Sequence, residues 1–362
     1  MKKLYLLATA LYLGTTATGF AANTLIISQA PVGGNTPVLN FSQGGATNAF
    51  GSIIQNGNNT LTGVQLGDGA KFSADQENPT SGAVNTINYT GRGNSNVIID
   101  QRATNGIFSA SGSAGNTVTV DMAGNLPGGP ANSLFVDQVG FNNNATIFDT
   151  FAGSATLGEN FNVAQYSDST VAGNQLQVQS SGVLNSSGQF VQQGGNKANV
   201  TINGGVQLVN LQQKNTADNI ASANVANMTI NNANVDWSQT GTKNDLEAKL
   251  TGASTNAGLY GWQAGNGNLA TVTQTNAYLD FGGGLSKGAN GLYQTGDNNI
   301  ALATQTNTHN SSFVIQQNGN GNNTTIAQTG TNHVAQVYQI NNNNTASITQ
   351  SGTGASAIVH QN

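Results

Sequence analysis

The feature that most constrains this chain is a glutamine that returns every eleven residues over its last hundred residues. Counted from each such glutamine, the second following position is Gly or Asn, the fifth is usually Asn, the seventh is small and the ninth is apolar. An insertion at 275–293 interrupts this grid, and the grid slips by one residue at the Gln316–Gln317 pair. The glutamines on the grid are Gln263, Gln274, Gln294, Gln305, Gln316, Gln317, Gln328, Gln339, Gln350 and Gln361, and the recurring asparagines are Asn268, Asn299, Asn310, Asn322 and Asn344.

The spacing within one unit predicts a β-strand followed by a turn. The fifth, seventh, ninth and eleventh positions are two residues apart, so their side chains point to the same side of a strand. Gly and Asn tolerate the positive φ angles that a tight reversal needs. Two units of eleven residues, about 22 residues, then form one flattened coil of two strands. We therefore expect an all-β fold, a β-solenoid of stacked strand-turn-strand coils.

The polar repeat positions are explained by stacking. A single coil cannot bury its inner face, but coils stacked in register satisfy their backbone groups and place identical side chains in rows. Stacked Gln and Asn amides donate and accept hydrogen bonds along such a row, so they tolerate burial. A row of like charges would repel itself. We therefore expect the repeated Gln and Asn side chains to form ladders that hold the coils together and support assembly.

The first 21 residues have the organisation of a secretory signal peptide. Lys2 and Lys3 precede an apolar stretch, and small residues then lead to an expected cleavage after Ala21. No later segment is long and apolar enough to span a bilayer. We expect a secreted protein, and the rest of the chain divides by the regularity of the repeat. The predicted segments are an N-terminal segment and possible export tag at 22–42, degenerate repeats at 43–100, an irregular solenoid region at 101–238 and regular repeats at 239–362.

Composition argues against several functional classes. Charged residues make up 7% of the chain, against about 25% in an average soluble protein, while 54 Asn and 29 Gln take their place. The net charge of −5 argues against nucleic-acid binding. Clustered carboxylates, a nucleophile with its base and metal-ligand spacings are not found, and the three histidines fall on different repeat units. We therefore expect no enzymatic activity, no catalytic residues, no metal and no cofactor.

The repeat resembles that of a known family. The segments QAGNGNLATVTQ (263–274) and QTGDNNIALATQ (294–305) are similar to the curlin repeat of curli, the extracellular amyloid fibre subunits. The similarity is strong over 263–361 and partial over 43–76 and 138–149. It implies secretion through a dedicated outer-membrane pore and polymerisation with other copies into fibres of a biofilm matrix, templated by a nucleating homologue. The alternative is a soluble or filamentous β-solenoid adhesin that binds a surface or a glycan.

The distribution of charge suggests which part of the chain assembles first. Residues 298–362 contain no Asp, Glu, Lys or Arg, whereas acidic residues punctuate the middle of the chain. Proteins that avoid edge-to-edge pairing place charges on exposed strands. We therefore hypothesise that the C-terminal block is the growth-competent part and that the acidic middle slows premature assembly.

Deleting residues 294–362 should greatly lengthen the lag phase of assembly, because the charge-free repeats are then missing. The time course of thioflavin fluorescence measures this lag at matched concentrations of the two proteins. An unchanged lag would contradict the hypothesis.

Overall fold

The computed structural model describes most of the chain, in the segments given below. The predicted signal peptide at 1–21 lies outside the described residues, as does most of the insertion predicted at 275–293. The described residues are 24–30, 37–44, 50–66, 71–78, 84–92, 95–102, 115–122, 132–148, 160–167, 173–179, 187–189, 191–201, 209–217, 220–229, 235–251, 259–275 and 290–362.

The described residues are almost entirely β-strands. In the first half these are β1 (Thr24–Ala30), β2 (Val38–Gly44), β3 (Phe50–Gly57), β4 (Asn59–Leu66), β5 (Lys71–Asn78), β6 (Asn85–Arg92), β7 (Ser95–Arg102), β8 (Thr117–Met122), β9 (Asn132–Gly140), β10 (Asn144–Phe148), β11 (Asn160–Ser167), β12 (Gln175–Gln179), β13 (Ser187–Gln189) and β14 (Gln192–Gln193). In the second half they are β15 (Lys197–Thr201), β16 (Val209–Asn215), β17 (Val225–Thr229), β18 (Val235–Thr242), β19 (Asp245–Thr251), β20 (Leu259–Asn266), β21 (Leu269–Thr275), β22 (Asn290–Thr295), β23 (Ile300–His309), β24 (Ser312–Asn318), β25 (Asn323–Thr331), β26 (Val334–Ile340), β27 (Thr345–Thr353) and β28 (Ser356–Gln361). The one helical element among them is a 3-10 turn at Ile220–Ser222, so no helix in the described part of the chain has the length and apolarity to cross a membrane.

The strands form two parallel sheets, and the predicted β-solenoid is confirmed. The first sheet has 15 strands and contains the odd-numbered strands up to β13, then β14 and the even-numbered strands from β16 to β28. The second sheet has 13 strands and contains β2 to β12 (even numbers) and β15 to β27 (odd numbers). The chain thus alternates between the sheets, and each strand pairs in parallel with the strand one coil further on.

The coil length follows the predicted repeat where the sequence is regular. Gln317 pairs with Gln339 and Gln339 with Gln361, 22 residues apart in each case. The insertion raises the separation to 31 residues between Gln263 and Gln294 without changing their register. In the irregular region the same two sheets continue, with coils of up to 37 residues, because the extra residues lie between strands.

Burial alternates along each strand, as a period of two requires. In β24, Phe313, Ile315 and Gln317 point inward and are buried, whereas their neighbours are more exposed. The core is a column of aliphatic side chains between the sheets. The largest side chain in this apolar column is the indole of Trp237. It fits because its partner in the following coil is Gly261, where a Cβ atom would lie 2.7 Å from the indole.

The turns use the residues that the repeat predicts. Positive φ angles occur at many glycines, and all but one of the other described residues with positive φ are asparagines. Gly330 shows a second reason for glycine. It has φ of +117°, and a Cβ atom there would lie 2.0 Å from the carbonyl oxygen of Gly352 in the next coil. Gly352 has φ of +89° but no atom near its Cβ position, because it lies in the last coil.

The different surroundings of Gly330 and Gly352 predict that alanine substitutions at the two positions differ in their effect on stability. Gly330→Ala should destabilise the protein by about 1–3 kcal/mol more than Gly352→Ala, because only the first substitution adds a clash with backbone to the cost of a positive φ angle. Urea unfolding of both variants and the parent measures the difference. Equal losses would contradict the close stacking of these two coils.

Candidate functional site

The first sheet contains a row of buried glutamines. Where the row is continuous, the Nε2 of each glutamine donates a hydrogen bond to the Oε1 of the glutamine one coil further toward the C-terminus, at 2.7–3.0 Å. The members in order are Gln29, Gln55, Gln76, Gln101, Gln138 and Gln165, then Gln192, and then Gln213, Gln239, Gln263, Gln294, Gln317, Gln339 and Gln361. Every bond in the row therefore has the same direction.

The second N–H of many of these glutamines donates to a backbone carbonyl oxygen of the opposite sheet. Gln317 donates to the carbonyl oxygen of Ile300 at 2.8 Å, and Gln339 donates to that of Asn323 at 3.1 Å. Because an amide nitrogen carries two hydrogens, a glutamine such as Gln317 or Gln339 bonds to its neighbour along the axis and to the opposite sheet at once. Burial of such a group is costly only when a bond is missing.

The second sheet has a shorter glutamine row with the same direction. Its members are Gln274, Gln305, Gln328 and Gln350, and each Nε2 donates to the next Oε1 at 2.7–2.8 Å. Gln350 ends the row, and its Nε2 donates to the carbonyl oxygens of Val334 and Ala355.

A row of asparagines runs along the turns that lead from the first sheet to the second. The backbone N–H of one asparagine typically donates to the Oδ1 of the previous one, at 2.9–3.2 Å. The side-chain nitrogen in turn holds the turn of the following coil, as in the bond from Asn299 to Gly319 O at 2.7 Å. The row consists of Asn59, Asn85, Asn116, Asn143, Asn174, Asn196, Asn224, Asn244, Asn268, Asn299, Asn322 and Asn344.

The structure resolves the slip in the repeat. Gln317 lies in the inner row and Gln316 is exposed on the outer face of β24. The position before β24 is Ser311, whose hydroxyl accepts the N–H of His333 at 3.2 Å. Asn310 instead takes a turn conformation with φ of 52°. Of the predicted ladder residues, Gln316 and Asn310 are therefore the two that lie outside the inner rows.

The sequence analysis missed several inner glutamines of the first-sheet row. Gln101, Gln165, Gln192 and Gln213 belong to the first-sheet row, but loops of variable length remove them from the eleven-residue grid. A signal within the strand survives, because a buried apolar residue stands two positions before the glutamine, as Val163 does before Gln165. This spacing of two residues between an apolar residue and a glutamine identifies members of the row where the eleven-residue period is lost.

The first-sheet row is broken at one level. Gln192 is in register with Gln165 and Gln213, but the Oε1 atoms of Gln192 and Gln213 are buried without a hydrogen-bond partner. This level has two short strands, β13 and β14, in place of one. An unsatisfied buried acceptor costs about 1–3 kcal/mol, so this level is a weak point of the stack.

The outer face of the first sheet carries an acidic row. Asp75, Asp100 and Asp137 are in register on successive coils, which places like charges about 4.8 Å apart. Burial and then the Asp137 carboxylate raise the pKa of Tyr166, in the next coil, to about 12. This row of like charges therefore lies in the middle of the chain, at outward-pointing positions of the strands, and its middle member Asp100 is buried, with 6% of its surface exposed.

The two ends of the solenoid are uncovered strand pairs within the described residues. β1 and β2 form one end, and β27 and β28 form the other. Ile26 and Ile358 are 53% and 57% exposed at these ends. In the described part of the chain no three His, Asp or Glu side chains are placed to hold a metal ion.

Comparisons with known proteins add no family. The chain matches no protein-family model, and no curated protein matches it. The site is therefore defined by its own geometry, which is two glutamine rows and one asparagine row, of which the first-sheet glutamine row extends from β1 to β28.

The adjacent pair Gln316 and Gln317 tests the inner row. Gln317→Glu should destabilise the protein by at least about 3 kcal/mol, because it buries a charge and removes both N–H donors. Gln316→Glu has the same composition and lies on the outer face, so its effect should stay within about 0.5 kcal/mol. Urea unfolding monitored by circular dichroism measures the free energy of unfolding of both variants. Similar losses of stability would contradict the assignment of Gln317, rather than Gln316, to the inner row.

Proposed function

We propose that this chain is a secreted structural subunit that self-assembles into curli-like amyloid fibres of an extracellular biofilm matrix. The observation that carries the proposal is that the two ends of the solenoid are complementary in direction, register and size. Each end presents the edge strands of both sheets, and an unpaired edge strand is a template for another chain.

The direction of the glutamine row makes the ends complementary. Gln361 at the C-terminal end uses one N–H on the carbonyl oxygen of Thr345 and has its second N–H left for a further coil. Gln29 at the N-terminal end donates to Gln55, and its own Oε1 faces outward along the row. A second copy whose β1 adds to β28 therefore continues the row with the same donor and acceptor order.

The same register brings apolar residues together. When Gln29 of one copy lies over Gln361 of another, large side chains of the N-terminal end lie on smaller ones of the C-terminal end. In the single chain these side chains are partly exposed, except those of Ala346 and Ile348, which are buried. The inward pairs are Ile27 with Val359, Leu25 with Ala357, Phe41 with Ile348 and Leu39 with Ala346. Their burial supplies a hydrophobic driving force for addition.

The joint between copies differs from the joints inside the chain at one position. Pro37 stands where each later strand of the second sheet has an asparagine, and proline has no N–H to donate to the Oδ1 of Asn344. The bond is therefore missing at the joint, as it is inside the chain between Asn59 and Asn85, where the Oδ1 of Asn59 has no hydrogen-bond partner and the N–H of Asn85 donates to the carbonyl oxygen of Asn58.

The other features of the proposal follow from the resemblance of the repeats. A secreted chain would reach the surface through an outer-membrane pore, and a nucleating homologue would supply the first template. The uncharged block at 298–362 supports growth from the C-terminal end, since no charge there opposes edge pairing.

Dilution of the mature chain, from Ala22, out of denaturant is the direct test. We expect a lag that preformed seeds shorten, and fibres that diffract at about 4.7 and 10 Å. Thioflavin fluorescence and fibre diffraction measure these. A soluble monomer with a concentration-independent β-type circular dichroism spectrum would overturn the proposal and favour the solenoid adhesin.

Gly352 gives a sharper test of end-to-end stacking. Gly352→Ala should fold and yet elongate poorly on parent seeds, because in a fibre its methyl group would meet the backbone of the next coil, as a methyl group at Gly330 does inside the chain. The rate of seeded elongation measures this effect.

Gly354→Asn is the matched control. Gly354 also has a positive φ angle, but the coil below has Asn332 at this place, so the stack accepts a side chain there. Normal elongation by Gly352→Ala, or equal inhibition by both variants, would contradict stacking on β27 and β28.

A further inference from the structure

His333 is a titratable side chain buried among the turns of the last coils. It is 0% exposed and lies directly before β26, where the chain returns from the second sheet to the first. Its backbone N–H donates to the hydroxyl of Ser311 in the coil below. Ala355 occupies the same place in the last coil, above it.

The imidazole of His333 makes the two bonds that an asparagine makes in the other turn row. Its Nε2 lies 3.1 Å from the carbonyl oxygen of Thr329, four residues earlier, and its Nδ1 accepts the N–H of Ala355 in the next coil at 3.3 Å. Asn299 likewise donates from Nδ2 to Thr295 O, four residues earlier, and its Oδ1 accepts the N–H of Asn322 in the next coil.

Only one protonation state of the imidazole can copy an asparagine. The neutral ring with its hydrogen on Nε2 has one donor and one acceptor, and they match Thr329 O and the Ala355 N–H. A protonated ring has a hydrogen on both nitrogens, so the N–H of Ala355 loses its acceptor and meets another donor. The ring would also hold an uncompensated charge in a buried place.

Among the described residues of the coils packed against His333, no charged side chain offsets that charge. Residues 298–362 contain no Asp, Glu, Lys or Arg, and Asp297 lies in the opposite row of turns, where it accepts hydrogen bonds from Asn266. The other titratable groups on the packed coils point outward: His309 is exposed, and His360 is stacked on Tyr338 at 4.8 Å on the outer face of the first sheet.

We propose that His333 is an acid-sensitive lock on the last coil. At neutral pH it ties the turn at Ala355 to the coil below, and on acidification the lock opens and β27 and β28 loosen. Asparagine at the same place would make the same bonds and would not titrate. Histidine at this place therefore adds a response to acid that asparagine would not have.

The consequence for assembly rests on the proposed function. β27 and β28 form the C-terminal end onto which another copy would stack, so an open lock removes the template. Fibre growth from that end should then be slower in mildly acidic medium than at neutral pH.

Hydrogen exchange of the soluble protein tests the lock without any assembly. At about pH 5, the amides of Ala355 and β28 should exchange at least about tenfold faster in the parent than in His333→Asn, and at about pH 7.5 the two should be alike. Comparing variants at one pH cancels the effect of pH on the chemical exchange rate. A ratio that does not change with pH would overturn the proposal.

A spectroscopic measurement covers the case in which the variant folds poorly. Nitrogen NMR of the imidazole in the parent protein at neutral pH should show the hydrogen on Nε2 of His333. The opposite tautomer, or a charged ring, would overturn the proposal.

Seeded elongation separates this inference from the function. The parent should elongate at least about tenfold more slowly at about pH 5 than at about pH 7.5, His333→Asn should not, and the control His309→Asn should behave as the parent does. Elongation of both proteins at equal rates at both pH values would overturn the lock alone. Absence of growth at any pH would instead overturn the proposed function and leave the exchange result standing.

Discussion

The structure depends on one constraint, which is that each side chain must tolerate its counterpart in the next coil at about 4.8 Å. Parallel strands in register impose this at every inward position. Amides meet the constraint because they donate on one side and accept on the other, and aliphatic side chains meet it by packing. Charges do not meet the constraint inside the stack, and among the described residues the stacked carboxylates Asp75, Asp100 and Asp137 occupy outward-pointing positions.

The amide rows give the stack a direction. In the glutamine rows the side chain donates toward the C-terminus, whereas in the asparagine row the backbone of the later coil donates back to the earlier side chain. A stack whose amide bonds all have one direction has two different ends. The same polarity explains why the neutral imidazole of His333 fits the stack: it offers one donor and one acceptor in the required order.

Loops are free of this constraint. Between Gln101 and Gln138 the chain takes 37 residues for one coil, and between Gln317 and Gln339 it takes 22, yet both pairs form the same hydrogen bond. Because lengthening the connection between two elements costs little free energy, the strands keep their register while the connections vary in length. Regular repeats at the C-terminal end and irregular ones in the middle are therefore parts of one stack.

The sequence alone determined the strands, the alternation of inward and outward residues, the turns at Gly and Asn and the stacking of coils, because all of these follow from local spacing and residue chemistry. Only the tertiary structure decided between Gln316 and Gln317 and between Asn310 and Ser311, since a slip of one residue moves a side chain to the other face of a sheet. It alone also placed Gln165 in the row and set the direction of the amide bonds. These depend on contacts between coils, and variable loops hide such contacts from any fixed period in the sequence.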